Sequence, residues 1–368
     1  MAAYFYQFAA RYGSKEVPDE TLLLRADQER LTGMGWVQWM QLENEWDKWW
    51  LGSDSEFSAE EYAAYHSACY DGHMNTIRVD NPKVKFGIKN ADPQMRVVLG
   101  PLAHLDYDKL ERVFRWWKEN RTDPRYPVYP LDAVSFHKYA NSGGRQRDLS
   151  GKGQSPEEFG FREYAQELVA WTNRKDKRMQ TWITEFGYDT NSGTPQGINA
   201  FGGLSTEDIQ AMWLARSYLA FSAAGIHRAA MYMLRNVNDY SGGIFQTSGL
   251  TSTKGSGWQP KASWYYLSSM KEALRGTQYV GEVSSGQEDV WIYEYQHINE
   301  KKTVYAIWSP TFSNNKVDGY ELKINGNTAW LISPEKGKEF GQQTELEIGN
   351  KKVQINVSEK PQFVVVEK

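Results

Sequence analysis

The chain has 368 residues and a formal net charge of −4, which gives room for a large core and two domains. So mild a balance speaks against nucleic acid or an anionic membrane as the main partner. Aromatic residues make up 14% of the chain, and the flat apolar faces of Trp and Tyr suit the C–H face of a sugar ring as well as a packed core. The single cysteine, Cys69, allows no intrachain disulfide and reads as a packed small side chain on a helix.

Residues 2–12 read as a helix that Gly13 ends, followed by a polar stretch and a short helical run over Thr21–Leu31. The opening Met-Ala-Ala-Tyr-Phe-Tyr has neither a basic region nor a long apolar one, so no signal peptide is expected in this stretch. No apolar run approaches the ~20 residues of a membrane span. A buried strand follows at 35–44. Ser58–Met74 reads as a helix opened by a Ser-x-x-Glu capping box at Ser58 and Glu61. Then come a strand at Met95–Gly100, a helix at Asp106–Asn120, a strand at Leu131–Tyr139 and a helix at Pro156–Arg174. A strand at Met179–Gly187, a helix at Thr206–Ala224, a strand at His227–Leu234 and a helix at Pro260–Leu274 complete the series. Five strands alternating with helices imply parallel strands and right-handed crossovers, and their near-continuous apolar runs imply a sheet covered on both faces.

Beyond about residue 276 the pattern becomes short strands separated by turns: Gln278–Val283, Asp289–Gln296, Lys302–Pro310, Gly319–Ile324, Ala329–Ser333, Glu345–Ile348, Lys352–Val357 and Gln362–Val366. Asn325-Gly326 is a hairpin signal. Residues 277–368 therefore read as an antiparallel β-sandwich behind an α/β domain of residues 1–276.

Two glutamates carry the chemistry. Glu45, in Gln-Leu-Glu-Asn-Glu-Trp, and Glu185, in Trp-Ile-Thr-Glu-Phe-Gly, each close an apolar strand and precede turn and helix signals. Carboxylates at the C-terminal ends of two strands of a β/α barrel are placed to act together. Cleavage of a glycosidic bond with retention needs two carboxyl groups about 5–5.5 Å apart, one ionised to attack the anomeric carbon and one protonated to release the leaving oxygen.

From about residue 34 to 275 the chain resembles the clan A retaining glycoside hydrolases, among them β-xylosidases, cellulases and β-mannanases, with families 39, 30 and 5 the nearest in pattern. In that clan strand four ends in Asn-Glu, and the Glu is the acid/base. Asn44-Glu45 matches, followed by Asp47-Lys48-Trp49-Trp50. Strand six often ends with His and Tyr, as His137-Lys138-Tyr139 does, and strand seven ends in the nucleophile, as Thr184-Glu185-Phe186-Gly187 does. The resemblance implies that Glu45 is acid/base and Glu185 nucleophile. It also implies that Asn44 binds the sugar 2-hydroxyl, that Tyr139 donates to Glu185, and that His137 orients the acid/base or touches the sugar. Trp46, Trp49, Trp50 and Trp258 are candidate sugar platforms, Trp258 lying just after the glycine-rich loop Ser241–Gly257. Arg235 and Asn236 end strand eight and are candidates to reach the site, and His104 is a candidate rim residue. No cofactor is implied, and the six histidines show no metal-ligand spacing.

The fit departs from the clan in two ways. Trp46 stands where many members have Pro. Only strands four to eight of a barrel are legible, so the fold class expected is a partial (β/α) barrel lacking the first three βα units, plus the C-terminal sandwich. Such a sheet exposes an edge and one side of its core. Of a fragment, a wall supplied by another polypeptide and self-association, a homo-oligomer covering the open side is the expectation. The function expected is a retaining β-glycoside hydrolase acting on plant cell-wall polysaccharide or oligosaccharide of the glucan or xylan type. A secreted or periplasmic setting would follow from that substrate class. The alternative is a carbohydrate-binding protein derived from such a hydrolase, which retention of both carboxylates disfavours. A phosphate-using enzyme is excluded by the lack of a glycine-rich phosphate loop.

Overall fold

The computed structural model describes residues 1–143, 150–240 and 242–368. Ser241, read above as the start of the glycine-rich loop, lies outside them. The chain forms two compact units, Met1–His137 with Trp171–Thr184, and Lys138–Ala170 with Glu185–Lys368.

The elements run α1 (Ala2–Tyr12), β1 (Trp39–Leu42), α2 (Ala59–Asn75), α3 (Ile88–Ala91), β2 (Arg96–Leu99), α4 (Tyr107–Asn120), β3 (Ala133–His137), α5 (Pro156–Phe159), α6 (Phe161–Lys175), β4 (Gln180–Glu185), α7 (Thr206–Ala224), β5 (Arg228–Ala229) and α8 (Ala262–Ala273). Strands β1 to β5 stand side by side in chain order. β1 runs parallel to β2 with Trp39 opposite Arg96, and β2 parallel to β3 with Val98 opposite Ala133. This is the five-stranded α/β sheet that the alternating pattern implied, and its strand order is that of a partial barrel.

Local chemistry sets the ends of the helices. Ser58 caps α2 through a capping box with Glu61, Asp106 caps α4 by accepting from Lys109 N, and Ser205 caps α7 with Asp208. The run 156–174 is two helices, because Gly160 takes a left-handed φ of 75° that ends α5. Thr21–Leu31 is not helical beyond a single turn at Asp19–Thr21. Side chains of α1 take up its backbone instead. Gln7 donates to Thr21 O at 2.8 Å and accepts from Leu23 N at 2.9 Å, and Arg11 donates to Glu29 O at 3.0 Å, so the segment lies as an irregular strap.

In the first unit, alternate residues of β1 face opposite ways: Met40 and Leu42 are buried while Trp39 and Gln41 are half-buried. Met40 and Leu42 belong to a core with Tyr6, Ala9, Ala10, Cys69, Ile88 and Val97. On the opposite face the rings of Trp39 and Trp182 meet at 4.7 Å although β2 and β3 stand between their strands. The sheet is therefore strongly curved between β1 and β4. Arg96 lies 4.9 Å over the Trp39 ring.

The second unit carries β6 (Thr277–Glu282), β7 (Trp291–His297), β8 (Lys302–Trp308), β9 (Lys316–Lys323), β10 (Thr328–Glu335), β11 (Lys338–Glu345), β12 (Lys352–Ser358) and β13 (Gln362–Glu367). Six of them form an antiparallel sheet in the order β11-β10-β13-β8-β7-β6, and β9 pairs with β12. One face of the larger sheet packs on α7 and α8 through Leu219, Ala273, Tyr293, Val304, Trp308 and Phe363. The other face shares a core with β9 and β12 through Ile292, Ile307, Leu322, Val353, Ile355 and Val364. A buried ion pair, Arg216 with Glu157, ties α7 to α5. Glu157 also accepts from Trp308 Nε1 at 2.9 Å, and Arg216 donates to Thr311 O at 3.0 Å.

Several strand expectations shift: the strand at 35–44 is Trp39–Leu42, and that at His227–Leu234 is Arg228–Ala229. β11 is 338–345 rather than 345–348, and its mostly exposed polar sequence carries no alternation to read. Asn325-Gly326 joins β9 and β10, which lie in different sheets, so it is a crossing and not a hairpin.

Candidate active site

Each key glutamate is presented by its own unit. β1 ends at Leu42, and the chain then turns through two residues in the left-handed region, Glu43 at φ 65° and Glu45 at φ 51°. Non-glycine residues adopt that conformation only where the surroundings enforce it. Lys48 forms an ion pair with Glu43 at 3.1 Å across the turn, and Tyr62 donates from its hydroxyl to Leu42 O at 2.7 Å while accepting from Gly100 N at 2.8 Å. The Glu45 side chain is 12% exposed. Its Oε1 lies 3.0 Å from Nδ1 of His137, whose side chain is 1% exposed. His137 is the last residue of β3, so the imidazole is fixed by a regular strand.

In the second unit Glu185 closes β4. Its carbonyl accepts from Lys138 N at 3.0 Å, which continues the strand pairing. Its carboxylate Oε2 accepts from the hydroxyl of Tyr139 at 2.9 Å, and Tyr139 is buried. A phenol donating to a carboxylate favours the ionised form and fixes its rotamer. Gly187 is required two residues on. A Cβ there would stand 2.7 Å from the carbonyl oxygen of Tyr232, whose own N–H donates to Phe186 O at 2.8 Å.

The remaining candidates divide. Asn44 is exposed beside Glu45. Trp49 is 51% exposed and meets half-buried Trp50 edge-on at 4.9 Å. Trp258 is 51% exposed, with Lys254 at 6.0 Å from its ring. Trp46 is corrected: it is fully buried, stacked on Tyr62 at 4.2 Å, and its Nε1 donates to Gly100 O at 2.9 Å. No ring face is left for a sugar, and the residue serves instead to brace the Glu45 turn. Arg235 is exposed and donates to Asn236 O at 3.3 Å. Asn236 is buried and anchors the following loop, accepting from Gly249 N at 2.8 Å and donating to Asp239 at 2.9 Å. His104 is exposed, and its backbone N–H donates to Asp47 at 3.3 Å.

Several residues support the site in ways that the sequence motifs did not indicate. Asp47 is buried and accepts from the backbone of Ala103 at 2.8 Å; burial pushes its carboxyl up, and the backbone donors act the other way. Asp239 accepts from Asn236, Thr253 and Ser256. Burial raises its carboxyl, but these hydrogen bonds outweigh it and hold the group at about 2. Asp189 accepts from Phe245 N, and the Phe245 ring meets that of Tyr139.

No protein-family model matches the chain, and no curated protein does. Solved structures do match in fold. A family 39 glycoside hydrolase from the gut symbiont Bacteroides cellulosilyticus aligns with a TM-score of 0.56 at 17% identity, over 90% of this chain and 58% of its own. A family 30 endoxylanase from Clostridium papyrosolvens aligns with a TM-score of 0.54 at 10% identity, over 90% of this chain and 66% of its own. A family 51 α-L-arabinofuranosidase from Bifidobacterium longum aligns with a TM-score of 0.58 at 12% identity, over all of this chain and 73% of its own. The chain thus has the fold of clan A glycoside hydrolases, and it spans less than two thirds of the first two.

Proposed function

We propose that the chain is a retaining β-glycoside hydrolase in which Glu185 attacks the anomeric carbon and Glu45 serves as acid and then base. One observation carries the reading. A single stretch of three residues, His137-Lys138-Tyr139, bonds both carboxylates, His137 to Glu45 at 3.0 Å and Tyr139 to Glu185 at 2.9 Å. The two acids therefore have different partners. A carboxylate that accepts from a phenol is suited to attack, and one against an imidazole is suited to exchange protons during turnover. Asn44 is assigned the sugar 2-hydroxyl, and Trp50, Trp258 and Arg235 are assigned further contacts to the sugar. The substrate class is a β-linked cell-wall glycan of the xylan or glucan type, and the C-terminal strands of residues 277–368 support the fold and do no chemistry.

The proposal includes self-association. Among the described residues β1 has a strand neighbour on one side alone, next to the half-buried Trp39 and Gln41, and a second copy would cover that edge. A dilute monomer in light scattering removes this part. The reaction proposed needs no metal, so activity is expected to survive EDTA.

The test is a panel of aryl β-glycosides and polysaccharides against the wild type and Glu185→Ala. Turnover by the wild type that Glu185→Ala loses supports the assignment. Binding without turnover in the wild type supports the carbohydrate-binding alternative, and equal activity in both proteins rejects Glu185 as nucleophile.

A further inference from the structure

The loop that follows β5 reaches back to the residue that holds Glu185. The Phe245 ring lies 5.2 Å from that of Tyr139 and 5.4 Å, edge-on, from that of Tyr232. Phe245 is itself in the left-handed region, with φ 66°, a conformation that is strained for a bulky residue and persists only under constraint.

The constraint is Asp189. Fully buried, it lies just beyond the Glu-Phe-Gly segment on the same stretch of chain as Glu185. Its Oδ2 accepts from Phe245 N at 3.0 Å and from Thr194 Oγ1 at 2.9 Å. Its Oδ1 accepts from Thr247 N at 3.2 Å and from Thr247 Oγ1 at 3.3 Å. Lys261, also buried, donates from Nζ to the carbonyl of Thr247 at 3.1 Å. Two backbone N–H groups and two hydroxyls thus gather on one buried carboxylate and fix the loop at the point where Phe245 projects.

We propose that Phe245 is a positioning residue for the nucleophile: seated by Asp189, its ring confines the Tyr139 ring and keeps the phenol hydroxyl on Glu185. This rests on the reading of Glu185 as nucleophile. Tyr139 has its ring inside the protein and its hydroxyl on the carboxylate, so loss of the neighbouring aromatic face opens space into which the ring can tilt. A small displacement of that donor weakens both the alignment of the carboxylate and its ionised form.

The test is a double-mutant cycle. kcat/KM is measured on para-nitrophenyl β-glucoside or β-xyloside, whichever the wild type cleaves, for wild type, Phe245→Ala, Tyr139→Phe and the double variant. If Phe245 acts through the phenol hydroxyl, Phe245→Ala lowers kcat/KM about tenfold or more through kcat, and the double variant is no worse than Tyr139→Phe by more than about threefold. Phe245→Leu, which keeps much of the bulk, restores activity to within about threefold. Losses that multiply in the double variant, or a Phe245→Ala protein as active as wild type, overturn the proposal. Should Phe245→Ala not fold, Phe245→Leu and Asp189→Asn take its place in the cycle under the same criterion.

A second readout needs no turnover. With carbon-13-labelled glutamate, the Glu185 carboxyl signal (assigned by its loss in Glu185→Gln) titrates about half a pH unit or more higher in Phe245→Ala, as it does in Tyr139→Phe. An unmoved midpoint in Phe245→Ala overturns the proposal. Failure of the nucleophile assignment shows separately, as activity retained in Glu185→Ala.

Discussion

Glu185 is the last residue of a regular strand, whereas Glu45 stands beyond the end of its own, on a left-handed turn. Glu185 is held by a strand hydrogen bond from Lys138 and by the phenol of Tyr139, whose ring meets that of Phe245. Behind Glu45 are one imidazole and a turn clipped by the partly exposed Glu43–Lys48 pair. The difference matches the demands of the two roles proposed for them. A nucleophile must sit on the line of attack and stay there. An acid that later acts as base must serve first a leaving oxygen and then a water, and a turn accommodates that better than a strand.

The sharpest way to break this comparison is to remove each acid in turn. Glu185→Ala is expected to lower kcat by about four orders of magnitude or more on every substrate, since no covalent intermediate can form. Glu45→Ala is expected to cost about two to four orders on substrates with poor leaving groups and far less on dinitrophenyl glycosides, which depart with little acid help. A loss that ignores leaving-group quality in Glu45→Ala would make the two acids equivalent and end the distinction.

The support beneath the Glu45 turn has its own pH sensitivity. His66 is buried against Trp117 at 5.1 Å and against Tyr62 at 5.9 Å, the tyrosine that holds the end of β1. Burial, and secondarily the charge of Arg121, push the imidazole down to about 3. Between that value and the ordinary histidine value the unfolded chain binds a proton that the folded chain refuses, so stability falls as pH drops through the window. The slope is ~1.4 kcal/mol per pH unit from this group. Urea unfolding of wild type and His66→Gln at pH 4.5 to 6 should show a flatter dependence in the variant, and equal slopes would contradict the account. The smallest effect is assigned to Lys48→Met, which releases the clip on the turn. A partly exposed ion pair contributes about 1 kcal/mol or less, so kcat should fall by about threefold to fivefold, with Glu185 function intact when azide is supplied. An unchanged kcat would show that the left-handed turn holds itself.

The α/β alternation was legible because its signals are local. Ser58 with Glu61, Asp106, and Ser205 with Asp208 mark helix starts, and Gly225 marks the end of α7 in a left-handed conformation. The strand ends at His137 and Glu185 were legible for the same reason. What escaped depends on contacts distant in sequence. Trp46 reads as a platform beside Glu45, and only its stacking on Tyr62 and its bond to Gly100 decide that it faces inward. Phe245 and Tyr139 meet across more than a hundred residues, and no spacing rule announces it. Asn325-Gly326 has the chemistry of a hairpin, yet β9 and β10 go to different sheets because their apolar faces are needed on opposite sides of one core.

The assignment of roles is tested most directly by azide rescue of the two alanine variants on an activated aryl β-glycoside, with the anomeric configuration of the product read by NMR. Glu45→Ala should give the β-glycosyl azide, by attack of azide on an intermediate held by Glu185. Glu185→Ala should give the α-glycosyl azide, by direct attack from the face the carboxylate occupied. The opposite pairing of products, or no rescue of either variant of an active wild type, would contradict the account.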